Sequence, residues 1–296
     1  MPVGCSGSKN PAGPFTNKNS KDKNLQRFLK STIERNPALA MALRTYRHFA
    51  ALQKQRPSAT PFGFYLMGHS AMQSGQFEPD ETALVQTLLD DITVFVDVGA
   101  NVGFYTCLAR AAGKHTLAIE PLATNLDYLY ANLAANGWRD VEVIPCGLAQ
   151  QPGTATLFGS GTGASLVSGW AGAPGTLRQT IPLSTLDIIL GDRFIGQHLL
   201  IKVDVEGVEY DLLQSAAKGL DLTPAPIWLV EIAFHEHHPN GRNPHFLETF
   251  EIFWQHGYQA STADAARTAV TPADVTRWLS SGVRDFGGPN YLFIRQ

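Results

Sequence analysis

Apolar positions fall into two rhythms along the chain. From residue 24 to 55 they recur at helical spacing: Leu25, Phe28, Leu29 and Ile33, then Leu39, Leu43, Tyr46, Phe49 and Leu52. Pro37 divides this stretch into two predicted helices. Residues 1–23 are polar and rich in Gly and Pro, and are expected to form a disordered tail. Residues 56–81 read as loop with short extended parts, and 81–91 as a helix. Beyond residue 91, apolar runs of strand length (94–98, 116–119, 141–145, 199–203 and 227–232) alternate with helical stretches (104–112, 124–136, 186–191 and 209–218). A last pair, 258–262 and 291–295, closes the pattern. Strands that are apolar at every position must be covered on both faces. The expectation is therefore an α/β fold: a doubly wound, mostly parallel, seven-stranded sheet over 91–296 with helices on both faces, preceded by a helical and loop extension over 24–90. The Gly/Ser-rich stretch between 158 and 180 is too long for a tight connection, so it is either a functional lid or a mobile insertion. No internal repeat is present.

Composition narrows the class. With 44% hydrophobic and 17% charged residues in 296, a sizeable core can form, and wholesale disorder is excluded. No apolar run approaches the length of a transmembrane helix. The N-terminus lacks the apolar stretch of a secretory signal. Cys5, Cys107 and Cys146 are odd in number, far apart and without a CxxC pair, which argues against a disulfide framework or a cysteine zinc site. A cytoplasmic location is the expectation. Charge is uneven: residues 1–57 carry 11 Lys+Arg against 2 Asp+Glu, whereas residues 58–296 carry 12 against 24. An acidic body argues against nucleic acid as partner. The basic N-terminal segment is either a solvated helix face or a contact for a membrane surface or anionic polymer.

Two segments carry the chemistry. In VFVDVGANVGFYT a buried strand delivers Asp97, then turns through Gly99, Asn101 and Gly103 into a helix. Glycine permits the sharp turn and the close approach of a ligand to the helix N-terminus. A second strand ends in Glu120, 19 residues after Asn101, where an acid accepts from ribose hydroxyls. The dinucleotide triplet G-x-G-x-x-G is absent. Asp97, just before the turn, would repel a pyrophosphate but suits the ammonium of a methionine moiety. These features favour S-adenosylmethionine over NAD, with a βα turn that binds nothing as the bland alternative. In LLIKVDVEGVEYDLL another buried strand brings Lys202, Asp204 and Glu206 to the same edge of the sheet. Asp204 and Glu206 are read as functional, and Glu209 as a helix-terminal charge.

These segments, together with AIEPLATNLDYLYANLAANGW and STLD, resemble the FkbM-type family of class I S-adenosylmethionine-dependent methyltransferases over roughly residues 60–296. The resemblance implies a Rossmann-like fold and methylation of an oxygen, most often a hydroxyl of a sugar, surface polysaccharide or glycolipid, with a polyketide or other natural product as the alternative. It implies that Asp97, Gly99, Asn101 and Gly103 hold the methionine end of the donor and Glu120 its ribose, with adenine near Cys146, Gly147 and Leu148.

An alcohol acceptor needs a proton acceptor or a metal. The last parallel strand runs into EIAFHEHHPNG, with Glu231, His235, His237 and His238. His235 is the expected base and Asp204 its rival. A second reading places a divalent metal such as Mg²⁺ on Asp204, Glu206 and Glu231, with His235. His237 and His238 read either as polar loop or as part of the site. Residues 162–170 are a candidate lid, in which Trp170 either stacks on a sugar or is simply mobile. Cys107 is expected to be buried packing. The rivals are a non-catalytic donor-binding module and an NAD-dependent sugar oxidoreductase. The oxidoreductase would carry a Y-x-x-x-K pair, which is lacking. The [DN]-P-P-[YF] turn of nucleobase amino-methylating enzymes is replaced by Asp204-Val-Glu-Gly.

Overall fold

The computed structural model describes residues 56–173 and 175–295. The expected tail, the paired helices of 24–55 and Cys5 lie outside the described residues. The lead-in segment forms a small antiparallel pair, β1 (Ser58–Ala59) and β2 (Tyr65–Leu66), then helices α1 (Ser70–Ser74) and α2 (Pro79–Leu89). Strand β3 (Val94–Val98), helix α3 (Phe104–Ala111), β4 (His115–Ile119), α4 (Ala123–Ala135) and β5 (Glu142–Ile144) follow as βα units. Next come β6 (Gly147–Leu148), β7 (Gly153–Phe158) and β8 (Arg178–Ser184), then α5 (Leu186–Leu190) and β9 (Leu199–Val203). The chain ends with α6 (Glu209–Leu213), α7 (Ala217–Leu220), β10 (Ile227–Glu231), α8 (Phe246–Gln255), β11 (Gln259–Thr262), β12 (Ala269–Val270), α9 (Pro272–Ser281) and β13 (Asn290–Ile294).

The main sheet runs β12-β11-β13-β10-β9-β3-β4-β5. Strands β5, β4, β3, β9 and β10 are parallel, whereas β13 pairs antiparallel with both β10 and β11. The α/β class of the sequence reading holds, but the sheet is mixed and has eight strands, not seven. The additional strand, β12, is two residues long and hangs antiparallel on β11 at the edge, too short to leave a periodic signal. The predicted 209–218 helix is broken into α6 and α7. A separate three-stranded sheet, β6-β8-β7, stands where the sequence suggested only loop around the Gly/Ser stretch.

Side-chain alternation divides the core in two. Val94, Val96 and Val98 of β3, with Ile201 of β9 and Val230 of β10, face one cluster that includes Leu212, Phe250 and Trp278. Phe95, Leu200 and Leu229 face the other, with Leu84 and Leu88 of α2 and Leu108 of α3. Burial on both faces is why these strands are apolar throughout. The lead-in segment thus serves as the helical cover of one face: Phe64, Leu66 and Met72 belong to that second cluster.

The chain leaves β3 for α3 and β4 on one side and returns as β9 on the other, so β3 and β9 flank the switch point of the sheet. Ligands of doubly wound sheets sit outside the carboxyl ends of strands at such a point. Among the described residues, no helix is long and apolar enough to cross a membrane.

Candidate active site

A cavity of about 290 Å³ opens at the carboxyl ends of β3, β4, β9 and β10. One half is built by the glycine turn. Gly99 has φ +85°, and a Cβ there would stand 1.8 Å from the carbonyl oxygen of Asp204, so the β3 and β9 loops touch backbone to backbone. The backbone N–H groups of Gly99 and Ala100 donate to Ile119 O at 2.9 and 3.0 Å. Gly103, with φ +87°, begins α3 where a Cβ would strike Leu129. Glu120 is buried beneath this turn: Oε2 accepts from Asn101 N at 2.8 Å and Oε1 from Leu122 N at 2.7 Å. Burial pushes the Glu120 carboxyl up to about 7 despite these bonds. Asn101, Glu120, Cys146, Gly147 and Leu148 all line the cavity, beside the apolar Ile119, Leu157 and Ile181.

Asp97 lies behind the turn and does not line the cavity. Its Oδ2 accepts from Thr106 Oγ1 at 2.5 Å, and burial pushes its carboxyl up to about 6 against the pull of Lys202.

The other half of the cavity is acidic. Lys202, 3% exposed, places Nζ 2.9 Å from Asp204 Oδ2 and 3.4 Å from Glu81 Oε1, and lies 4.8 Å over the Tyr105 ring. Burial alone would raise the Asp204 carboxyl, but Lys202 and a hydrogen bond from Glu231 hold it below its usual range. Burial and the adjacent Asp204 charge hold Glu231 well above its own, so Glu231 is the protonated partner that donates to Asp204. Glu206 adopts φ +57°, and its Oε2 accepts from Trp170 Nε1 at 2.5 Å. Burial, then the Asp204 charge, pushes Glu206 up to about 8. Glu209 is buried, with Oε1 on the backbone N–H of Gly207 at 3.0 Å, a structural role in keeping with the sequence reading.

The stretch between β7 and β8 covers the cavity: Gly161, Thr162, Ala164 and Leu166 line it. It is tied down by Ser165 Oγ, which donates to Glu206 O at 2.5 Å, and by Asn125 Nδ2, which donates to Gly161 O at 3.3 Å. Trp170 is 1% exposed, so it is an anchor under this cover and not a platform for a sugar. A Cβ on Gly207 would stand 2.3 Å from its ring.

The histidines sort differently from the sequence expectation. His235 does not line the cavity; Nδ1 faces Gly241 O at 2.6 Å and Nε2 faces Gly282 O at 3.0 Å. The cause is Glu236, whose Oε2 accepts from the N–H groups of Phe234 and His235 at 2.7 and 3.0 Å while Oε1 pairs with Arg284 at 2.5 Å. That clamp turns the loop so that His237, at φ +64°, faces the cavity instead. His238 packs edge-on against Trp170 at 4.6 Å. The sequence reading also missed Glu78, whose Oε2 accepts from Tyr105 OH at 2.8 Å and which lines the cavity. Only the tertiary position of α2 brings it there.

Among the described residues, no three His, Cys, Asp or Glu side chains converge to hold a metal ion. Asp204 is committed to Lys202 and Glu231, and Glu206 to Trp170. The fit to S-adenosylmethionine is better. Gly99 and Asn101 line the cavity, Asn101 Oδ1 is buried there without a partner, and the ionised Asp204 suits a sulfonium.

The family model "Methyltransferase FkbM domain" matches residues 97–260. No curated protein matches the chain. Among solved structures, the chain is similar to precorrin-6y C5,15-methyltransferase from Geobacter metallireducens GS-15, at 10% identity and TM-score 0.42, covering 80% of this chain and 100% of that one. It is also similar to a putative caffeoyl-CoA O-methyltransferase from Staphylococcus aureus, at 10% identity and TM-score 0.41, covering 94% and 98%. A third is the T. thermophilus 16S rRNA N2 G1207 methyltransferase in complex with AdoMet and guanosine, at 12% identity and TM-score 0.40, covering 82% and 50%. The family match takes in more than half of the chain and both segments that build the cavity, and the protein belongs to the FkbM family of S-adenosylmethionine-dependent methyltransferases.

Proposed function

We propose that the protein transfers a methyl group to a hydroxyl oxygen of a sugar, in a polysaccharide or glycolipid assembled in the cytoplasm. The bound donor supplies a methyl already activated by its sulfonium sulfur. In this reading Gly99, Asn101 and Glu120 hold the methionine and ribose parts, with Asp97 bracing the turn through Thr106 and Gly103, which does not line the cavity, closing it against Leu129. Cys146, Gly147 and Leu148, with Ile119 and Ile181, form the adenine wall. The lid of residues 161–166 excludes water, which would otherwise compete with the acceptor.

The observation that carries the reading is Glu206. A hydroxyl must lose its proton as it attacks, and a base works best with a pKa near the working pH. Glu206 lines the cavity, is fixed by Trp170 and the strained turn before Gly207, and has its proton affinity raised into that range. Glu206 is therefore assigned as proton acceptor. Asp204, kept ionised by Lys202, stabilises the protonated Glu206 that results. His237 stands at the acceptor mouth. His235 is left out of the assignment, because both of its ring nitrogens face carbonyl oxygens. Free, buried Cys107 and Cys146 support a reducing compartment.

The test joins calorimetric titration with S-adenosylhomocysteine to tritiated methyl transfer onto a panel of glycosides. Glu206→Gln is expected to bind S-adenosylhomocysteine within threefold of the wild type and to lose on the order of 10²-fold or more in kcat. Full turnover in that variant would refute the base assignment. Failure of the wild type to bind S-adenosylhomocysteine would refute the donor half of the reading.

A further inference from the structure

We infer that the acceptor presents an uncharged, hydroxyl-bearing face, without phosphate or carboxylate at its reacting end, and that Glu78 contacts it in the cavity that Glu206 also lines. The inference rests on the O-methyl transfer reading above and adds the chemical class of the acceptor and a residue that selects it.

The first support is the charge of the walls. Glu78, Glu120, Asp204, Glu206 and Glu231 line the cavity, and among the described residues no Lys or Arg does. Lys202 is near, but its ammonium is buried and turned onto Asp204 and Glu81, with Tyr105 against its remaining side. It is not free to meet an anion. An anionic group at the acceptor end would lose its hydration, gain no Lys or Arg partner, and face Asp204, which Lys202 keeps ionised. A hydroxyl, by contrast, both donates to an ionised carboxylate and accepts from a protonated one, so it suits these walls in either state.

The second support is how Glu78 is held. It occupies the N-cap position of α2, and its side chain makes no cap bond to the first helical N–H groups but lines the cavity instead. Its backbone is left-handed at φ +41°, and Oε2 accepts from Tyr105 OH. Phe77, just before it, also lines the cavity, and Pro79 stiffens the chain just after. Of the six non-glycine residues with positive φ among those described, four (Glu78, Asn101, Glu206 and His237) line this one cavity. Such conformations persist where the surroundings over-determine them, and they gather at functional sites. Burial, then the neighbouring Glu81, pushes the Glu78 carboxyl up to about 7, in keeping with a group that exchanges hydrogen bonds in either protonation state.

The experiment uses the full chain, tritiated donor, and matched probes: the methyl glycosides of common hexoses and the 6-phosphates of the same glycosides. At least one neutral glycoside is expected to accept label with kcat/KM at least tenfold above that of its phosphate. Glu78→Gln is expected to raise KM for that glycoside at least tenfold while the Kd for S-adenosylhomocysteine moves less than twofold, which also reports that the variant is folded. Tyr105→Phe, which removes the hydroxyl that holds Glu78 and keeps the ring, is expected to raise KM threefold or more with kcat nearly unchanged. Equal use of the phosphorylated glycoside, or an unchanged KM in Glu78→Gln, overturns the inference and leaves O-methyl transfer standing. Label in no glycoside while S-adenosylhomocysteine binds overturns the carbohydrate reading and this inference with it.

Discussion

Replacing Gly99 by Ala isolates the contact on which the site depends. The added Cβ would lie 1.8 Å from Asp204 O, where ordinary contact begins at 3.4 Å, so one loop must retreat by about 1.6 Å. The obstacle is backbone, with no rotamer to turn aside. Left-handed φ in a residue with a Cβ costs on the order of 1 kcal/mol. Forced overpacking adds about 1–3 kcal/mol. The expected loss in unfolding free energy is thus about 2–4 kcal/mol. Gly113→Ala supplies the control, since Gly113 also has positive φ (+78°) but a Cβ there meets nothing within 4 Å. It should lose only the conformational part, about 1 kcal/mol, so the difference between the two variants measures the clash. Donor binding should separate them further. A displacement of this size between the Asn101 turn and the Asp204 strand end is expected to weaken S-adenosylhomocysteine on the order of 10²-fold, whereas Gly113→Ala should bind it as the wild type does. Urea melts and calorimetric titration give both numbers. If Gly99→Ala matched Gly113→Ala in stability and bound the ligand normally, the contact between β3 and β9 would not be what shapes the site.

Further outcomes can be set beside this one. Glu120 has a folded pKa of about 7 against an ordinary 4.5. Its contribution is therefore full below about pH 4.5 and is lost as pH rises through about 7, a span of roughly 3 kcal/mol. Glu120→Gln should flatten the fall in stability between pH 5 and 8 by about that amount, and an unchanged pH slope in urea melts would contradict it. Lys202→Met leaves Asp204 and Glu81 without their cation and is expected to lose about 3–5 kcal/mol at pH 8, less at pH 5, where carboxylates take up protons instead; equal losses at both values would refute the argument. Trp170→Phe removes the Nε1 donor that favours the ionised form of Glu206. The acidic limb of its pH–rate profile should move to higher pH, and a limb that stays in place would separate Glu206 from the proton transfer.

Much of the parallel half of the fold is legible from residues alone because β3, β9 and β10 are buried on both faces and so are apolar at nearly every position. The glycine turn is legible for a related reason: only Gly tolerates φ +85° against a neighbouring carbonyl. Strands β7 and β8 escaped because only Leu157 and Ile181 among their positions are buried, which leaves too little apolar alternation to mark a strand. Which histidine reaches the cavity depends on Glu236 clamping the N–H groups of Phe234 and His235, a bond that no spacing announces. Glu78 was invisible for a similar reason, since nothing near it in sequence tells that α2 packs against α3 and presents its N-terminus to the ends of β9 and β10. The aromatic residue singled out for stacking, Trp170, is instead the buried ligand of Glu206.

The cover over the cavity is rooted in a ladder of its own. Strands β7 and β8 pair from Gly153 opposite Leu183 to Phe158 opposite Arg178, outside the main sheet, and the segment that reaches the acceptor end springs from their tips. Loop length changes closure entropy only slowly, and surface connections tolerate insertion. Residues between Phe158 and Arg178, apart from the anchoring Ser165 and Trp170, can thus change in number and composition without moving the register of the strands that lead to Gly99, Glu120 and Asp204. One wall of the cavity can therefore be remodelled at a hairpin tip while the strand ends that carry Gly99, Glu120 and Asp204 keep their register.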